Sequence, residues 1–177
     1  MKRSFAFFLP AYLLCSNFAW AQTATDLNEG SQLTHDSVND TWTFSWWGRS
    51  GITYFLQRSG DLKSWHYIPI IEPGQDGVAE WHFATSADKL FMRLKRTDIT
   101  TSDPWNEDFD GDGISNINEL MAPLELLLDP FDSDSNNDGI TDGLEDTDGD
   151  GLNNSNEFAQ NTDLTRRDNL DLELRLY

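Results

Sequence analysis

The sequence predicts a mainly β protein, in which a small antiparallel β-sandwich is followed by an irregular repeat region with short helical turns. Three observations support this. Apolar and polar residues alternate over residues 41–94, and a 12-residue acidic pattern recurs three times after residue 107. Residues 1–97 hold nine acids and nine bases, whereas residues 98–177 hold 22 acids and three bases. The second part therefore carries the whole net charge of −19.

The first 21 residues have the layout of a secretory signal peptide. Lys2 and Arg3 precede an apolar run, and Ala19-Trp20-Ala21 forms a small-x-small cleavage site. No later apolar run approaches the ~20 residues of a membrane helix. We therefore expect an exported protein, secreted or on the cell surface, with no transmembrane segment in the mature chain. Because Cys15 is the one cysteine, the mature protein has no disulfide.

Residues 22–39 are polar and lack periodicity, which predicts a flexible leader. Residues 40–98 contain short alternating segments separated by turn sequences such as Ser59-Gly60-Asp61, which is typical of a small β-sandwich. The expected strands are Thr41–Trp46, Ile52–Gln57, Trp65–Ile71, Val78–Phe83 and Leu90–Leu94.

Tryptophans are abundant in this module. We expect Trp42, Trp46, Trp65 and Trp81 to form its core, because a domain of about 60 residues buries only ~60% of its surface and needs large side chains. Trp47 is out of phase with Trp46 and is the one most expected to be exposed. Exposed tryptophans also bind sugar rings, so a carbohydrate-binding surface is the open alternative.

The segment from Ser59 to Trp65, with Tyr54 before it and Phe91–Leu94 after it, resembles a small fibronectin-type-III-like β domain of secreted bacterial proteins. The resemblance covers about residues 41–96. It implies the fold and export, and it brings no catalytic residues.

The acidic half contains three loops of 12 residues: loop 1 (residues 108–119), loop 2 (residues 134–145) and loop 3 (residues 146–157). Each loop has Asp or Asn at its first, third, fifth and ninth residues, Gly at the sixth, Ile or Leu at the seventh and Glu at the last. A disordered acidic tail, the alternative, has no need of Gly and an aliphatic residue at fixed places.

This pattern predicts three Ca²⁺ ions, because calcium takes six to eight oxygens and alternate residues of a tight loop can supply them. Magnesium demands a stricter octahedral shell and fits less well. The seventh residue would bind through its backbone carbonyl, and the closing glutamate through two oxygens. The predicted ligands are Asp108, Asp110, Asp112, Ile114, Asn116 and Glu119 in loop 1, Asp134, Asn136, Asp138, Ile140, Asp142 and Glu145 in loop 2, and Asp146, Asp148, Asp150, Leu152, Asn154 and Glu157 in loop 3.

The eighth residues are polar and Glu145 is directly followed by Asp146, a layout unlike that of an EF-hand. The loops instead resemble bacterial thrombospondin type 3 repeats, with Asp103-Pro104 and Asp129-Pro130 as the spacers. The resemblance covers about residues 103–168, within a repeat region of residues 99–169, and implies calcium-binding spacers that join other extracellular modules. A fourth loop at Asp168 lacks acidic third and fifth residues.

Two further segments carry predictions. Residues 119–128 predict a short helix interrupted at Pro123, which forms a local core against the loops. Residues 170–177 alternate strictly and predict a C-terminal strand. Loops 2 and 3 abut and are expected to bind calcium together, whereas loop 1 is expected to bind alone.

We expect a secreted calcium-binding structural or adhesion module, in which calcium orders an acidic stalk attached to the β domain. The alternative is a carbohydrate-binding protein in which calcium is purely structural. The sequence holds no nucleophile–base pair or phosphate loop, which argues against an enzyme. A strongly acidic chain also argues against nucleic acid as a partner. The partners expected of an exported module are other extracellular proteins or surface glycans.

Overall fold

The structure is a computed structural model that describes residues 13–15 and 30–167. The chain divides into two compact units, residues 1–100 (unit 1) and 101–177 (unit 2). The predicted signal peptide, apart from residues 13–15, and the predicted C-terminal strand over residues 170–177 lie outside the described residues. None of the described helices is long and apolar enough to cross a membrane.

The described part of unit 1 is built from antiparallel strands in two sheets, ordered β1-β7-β4-β5 and β2-β3-β6. This agrees with the predicted mainly β class. The strands are β1 (Leu13–Cys15), β2 (Ser31–Asp36), β3 (Thr41–Gly48), β4 (Thr53–Ser59), β5 (His66–Pro73), β6 (Gly77–Phe83) and β7 (Leu90–Thr97). β1 pairs with β7 and lies inside the predicted signal peptide.

The core of unit 1 joins the two sheets. Phe44 and Trp46 of β3 pack with Leu56 of β4 and Met92 of β7, and each is at most 2% exposed. The other face of β4 is covered by long side chains of its own sheet. Arg93 Nε donates to Gln57 Oε1 at 2.6 Å, and its guanidinium lies 4.2 Å from the centre of the Trp65 ring.

The tryptophans follow the alternation of their strands. Trp46 is fully in the core, while Trp42 and Trp81 are partly buried and pack against it. Trp65 is half-buried under Arg93. Trp47 points to the opposite face, where it is half-buried rather than exposed and pairs in register with Val78.

The predicted flexible leader over residues 22–39 is corrected in its second part. Residues 31–36 form β2, which pairs with β3 along its whole length. Leu33 packs against the core, and the His35 ring stacks on Trp42 with 4.3 Å between ring centres. With Leu33 as its one aliphatic residue, this segment has too weak an alternation to predict a strand. It is the neighbouring strand that orders it.

Unit 2 contains α1 (Asn116–Met121), a 3-10 helix (Asp142–Leu144) and α2 (Asn154–Gln160). Each begins at the ninth residue of a loop. α1 therefore starts earlier than predicted, and it ends before Pro123. Leu120 and Leu128 are buried, but Leu124 and Leu127 are more than half exposed, so only part of this segment forms the predicted local core.

Candidate metal centre

The three loops share one backbone conformation. The glycine at the sixth place has φ of +96° in loop 1, +95° in loop 2 and +99° in loop 3 (Gly113, Gly139 and Gly151). The fourth place also has positive φ in each loop, with Gly111, Asn137 and Gly149. These are left-handed conformations that glycine and asparagine adopt most readily. The repeated sequence pattern thus corresponds to a repeated turn.

Backbone N–H groups hold the aspartates of each loop. The sixth residue donates to Oδ2 of the first aspartate, at 2.9 Å from Gly113 to Asp108, 2.9 Å from Gly139 to Asp134 and 3.0 Å from Gly151 to Asp146. The backbone N–H of the seventh residue donates to Oδ1 of the fifth-place aspartate, at 2.7 Å in loop 1 and 2.9 Å in loops 2 and 3. The carboxylates are oriented before any ligand arrives, and each oxygen keeps a second lone pair.

Two acidic triads result within the described residues. The carboxylates of Asp108, Asp110 and Asp112 each offer an oxygen, and these oxygens lie within 4.8 Å of one another. Asp146, Asp148 and Asp150 form the same arrangement in loop 3. Like charges at this distance repel, so each triad favours a bound cation. The donors are all hard oxygen atoms, which suit calcium, magnesium or manganese.

Glu119 closes the first loop from α1. Its side chain is 3% exposed, and among the described residues neither carboxylate oxygen meets a hydrogen-bond donor. Burial, and then the charges of Asp110 and Asp112, raise the pKa of Glu119 to about 10. Burial and the charge of Asp112 likewise raise the pKa of Asp110 to about 7. A buried carboxylate beside an acidic triad is an arrangement that a cation would stabilise.

Loop 3 repeats this arrangement. Glu157 closes it from α2 and is 0% exposed, close to the 3% of Glu119 in loop 1. One feature of loop 3 had no signal in the sequence. Arg167 lies ten residues beyond the loop, yet its Nε donates to the Asp148 carbonyl at 2.6 Å, and its guanidinium lies against Gly149. Arg167 thus fixes the turn from outside.

Loop 2 differs in its acidic set. Asn136 takes the third place, and its Nδ2 donates to Glu145 Oε1 at 2.6 Å. The predicted ligands at the third and last places of loop 2 therefore lie together, and they are hydrogen-bonded to each other. Asp138 is exposed, and Ile140 is 50% exposed where its counterpart Ile114 is 1% exposed. Loop 2 is the most open of the three.

The ninth residue of each loop, a predicted ligand (Asn116, Asp142 and Asn154), has a side chain that is hydrogen-bonded to the backbone of its own loop. The Oδ1 of each accepts a hydrogen bond from the backbone N–H of the second loop residue, at 3.2, 3.0 and 3.4 Å. Asn116 Nδ2 donates to the Pro104 carbonyl and Asn154 Nδ2 to the Asp142 carbonyl, both at 2.7 Å. These side chains close the loops onto the preceding chain.

The backbone also closes each loop in the same way. The N–H of the ninth residue donates to the carbonyl of the residue just before the loop, at 2.8 Å to Glu107, 2.9 Å to Ser133 and 2.7 Å to Glu145. Carbonyl ligation by Ile114, Ile140 and Leu152 stays a prediction.

Comparisons with protein-family models, with curated proteins and with solved structures gave no match. Loops 1 and 3 carry oxygen donors on short, hydrogen-bonded turns and can hold hard cations.

Proposed function

We propose that unit 2 binds calcium and becomes ordered by it, as part of a secreted structural or adhesion protein. The observation that carries the proposal is the buried Glu119, whose carboxylate has no hydrogen-bond donor among the described residues, beside the triad of Asp108, Asp110 and Asp112. Magnesium prefers to keep several waters, whereas calcium accepts a larger shell of protein oxygens, such as three aspartates and a bidentate glutamate.

The structural role follows from charge and composition. Unit 2 holds 21 acids against three bases, so without a cation its carboxylates repel one another. Binding energy would then become folding energy, as in other small metal-dependent domains. Affinity on the order of 10⁻⁴–10⁻³ M is typical of extracellular calcium modules and suits an exported protein.

The alternative is carbohydrate binding by the tryptophans of unit 1. Among the described residues, four of them pack into or against the core or under Arg93, which leaves little flat aromatic surface. Trp47 lies on the outer face of its sheet in register with Val78, which is 50% exposed. If the wild type is retained on polysaccharide and Trp47→Ala is not, this alternative is supported. If the wild type is not retained, or both proteins are retained equally, the structural proposal is favoured.

Calorimetric titration of the full chain tests calcium binding. We expect uptake of about three ions, with magnesium a weak competitor. Asp110→Asn should remove or strongly weaken one site, because Asp110 belongs to the loop 1 triad. Asp98→Asn, which alters an exposed aspartate outside the loops, is the matched control. Absence of calcium uptake by the wild-type protein would contradict the proposal.

A further inference from the structure

Loops 1 and 2 meet at one hydrogen bond that joins residues far apart in sequence. The backbone N–H of Gly143, the tenth residue of loop 2, donates to Asp112 Oδ2 in loop 1 at 3.0 Å. Asp112 is a member of the loop 1 triad, and both groups are buried. We infer that Gly143 is a positioning residue for the loop 1 metal site, which couples that site to the folding of loop 2. This inference rests on the proposed function.

The contact leaves no room for a side chain. A Cβ at Gly143 would overlap the backbone carbonyl oxygen of Asp112, and it would lie 3.5 Å from Cγ1 of Ile114. Unlike the sixth-place glycines, Gly143 does not have a positive φ. Glycine is therefore required here by the close approach of loop 1.

The hydrogen bond fixes a ligand. Asp112 Oδ1 accepts from the N–H of Ile114 at 2.7 Å within loop 1, while Oδ2 is held by loop 2. The direction of the carboxylate plane is thus set by two donors, one from each loop. A ligand held in its binding geometry loses less freedom when the ion arrives.

The donor in turn depends on loop 2 being closed. Gly143 lies in the 3-10 helix, whose first residue, Asp142, is tied on both sides. The Asp142 N–H donates to the Ser133 carbonyl at 2.9 Å, and its Oδ1 accepts from the Ser135 N–H at 3.0 Å. Closing loop 2 presents the Gly143 N–H to Asp112, so ions in the two loops should strengthen each other's binding. The sequence had predicted that loop 1 acts alone.

Terbium luminescence sensitised by Trp105 can report on loop 1 selectively. Trp105 is the one tryptophan of unit 2, and its carbonyl accepts from the N–H of Ile117 in α1 at 3.0 Å. Terbium prefers the same hard oxygen donors as calcium. Loss of the sensitised signal in Asp108→Asn assigns it to loop 1, and competition by calcium then gives the affinity of that site.

We expect Gly143→Ala to weaken terbium and calcium at loop 1 by about 5–150-fold, while loop 3 still binds in calorimetry. Leu144→Ala, at the neighbouring residue whose side chain is 64% exposed, should leave the loop 1 affinity unchanged. If Gly143→Ala binds at loop 1 as the wild type does, the inference is wrong although the wild type binds calcium. A wild type that takes up neither ion would instead overturn the proposed function.

A second variant serves if circular dichroism shows that Gly143→Ala does not fold. Asp138→Asn removes a loop 2 carboxylate that is exposed and hydrogen-bonded within its own loop. Coupling predicts a lower loop 1 affinity in this variant as well. An unchanged Trp105-sensitised affinity would contradict it.

Discussion

At the residue scale, the ninth residue of loop 2 lacks a side-chain hydrogen bond that the ninth residues of loops 1 and 3 make. Asn116 and Asn154 donate their amides to carbonyls twelve residues earlier. Asp142 takes the same place in loop 2. It has no amide that could donate to the carbonyl of Pro130, the residue twelve positions earlier. Among the described residues Asp142 Oδ2 is buried with no hydrogen-bond partner. The acid thus replaces a donor by an acceptor at a buried position, which costs stability.

We therefore predict that Asp142→Asn stabilises unit 2 by about 0.5–1.5 kcal/mol, the net worth of a typical hydrogen bond. Denaturant unfolding with and without calcium measures this. Asp132→Asn, at an exposed aspartate outside the loops, should have no such effect. Loss of one bound calcium ion in Asp142→Asn would show that Asp142 is a ligand after all.

A second residue-scale prediction concerns Asn136, the neutral member of loop 2. Asn136→Asp gives loop 2 the aspartates of its neighbours and replaces the 2.6 Å amide contact to Glu145 by repulsion. Calcium affinity of loop 2 should rise, and stability without calcium should fall, as calorimetry and thermal unfolding would show. Asn137→Asp adds the same charge at a left-handed, exposed position and is the matched control. Equal affinity gains in both variants would indicate only a general charge effect.

At the scale of the loops, the buried glutamate makes stability depend on pH. The pKa of Glu119 is raised from 4.5 to about 10 by burial and by neighbouring carboxylates. A group whose pKa is higher in the folded state favours folding most below its unfolded value, and that contribution is lost as the pH rises towards the folded value. The calcium-free protein should therefore be most stable in acid.

We predict that the folded fraction of calcium-free unit 2 falls between pH 5 and pH 9, over the window from 4.5 to about 10 set by the two pKa values. Circular dichroism of the calcium-free protein over this pH range checks this. Glu119→Gln should flatten the dependence, and Glu125→Gln, at an exposed glutamate, should preserve it. A folded fraction that rises with pH in both wild type and Glu119→Gln would contradict the buried, charge-crowded environment.

The loops were also the elements most readable from sequence. The sixth-place glycines and the aspartates at the first and fifth places recur in the sequence, and in the structure they lie on a repeated, hydrogen-bonded turn. The backbone hydrogen bonds of the ninth residues could not be predicted from the sequence, because a short polar side chain can bind either an ion or the backbone. Gly143 and Arg167 act across loops, and local spacing carries no information about such contacts.

At the scale of the whole molecule, the two units draw on different sources of stability. Unit 1 has balanced charges and an apolar core that includes Phe44, Leu56 and Met92, each fully buried. Sequence alternation predicted five of its seven described strands. β1 lies inside the predicted signal peptide, and β2 has too weak an alternation and is ordered by its pairing with β3. Unit 2 buries polar and acidic groups such as Asn116, Glu119 and Glu157.

Different sources of stability predict separate unfolding. Phe44→Ala should destabilise unit 1 by about 3–5 kcal/mol, because it leaves a cavity in the core, and calcium uptake should stay the same. Calorimetric unfolding with calcium present should show that only the transition of unit 1 moves to a lower temperature. The conservative Phe44→Leu should have a smaller effect. A matched fall in calcium affinity would show that the units are one cooperative body.

Hydrogen exchange of the full chain, with calcium and after its removal, tests the central claim most directly. The N–H groups of Gly113, Gly139 and Gly151 are donated within the loops and report whether each turn is formed. We predict strong calcium-dependent protection over residues 108–157 and none over the strands of unit 1. Equal protection of residues 108–157 in both states would contradict the claim that calcium orders this unit.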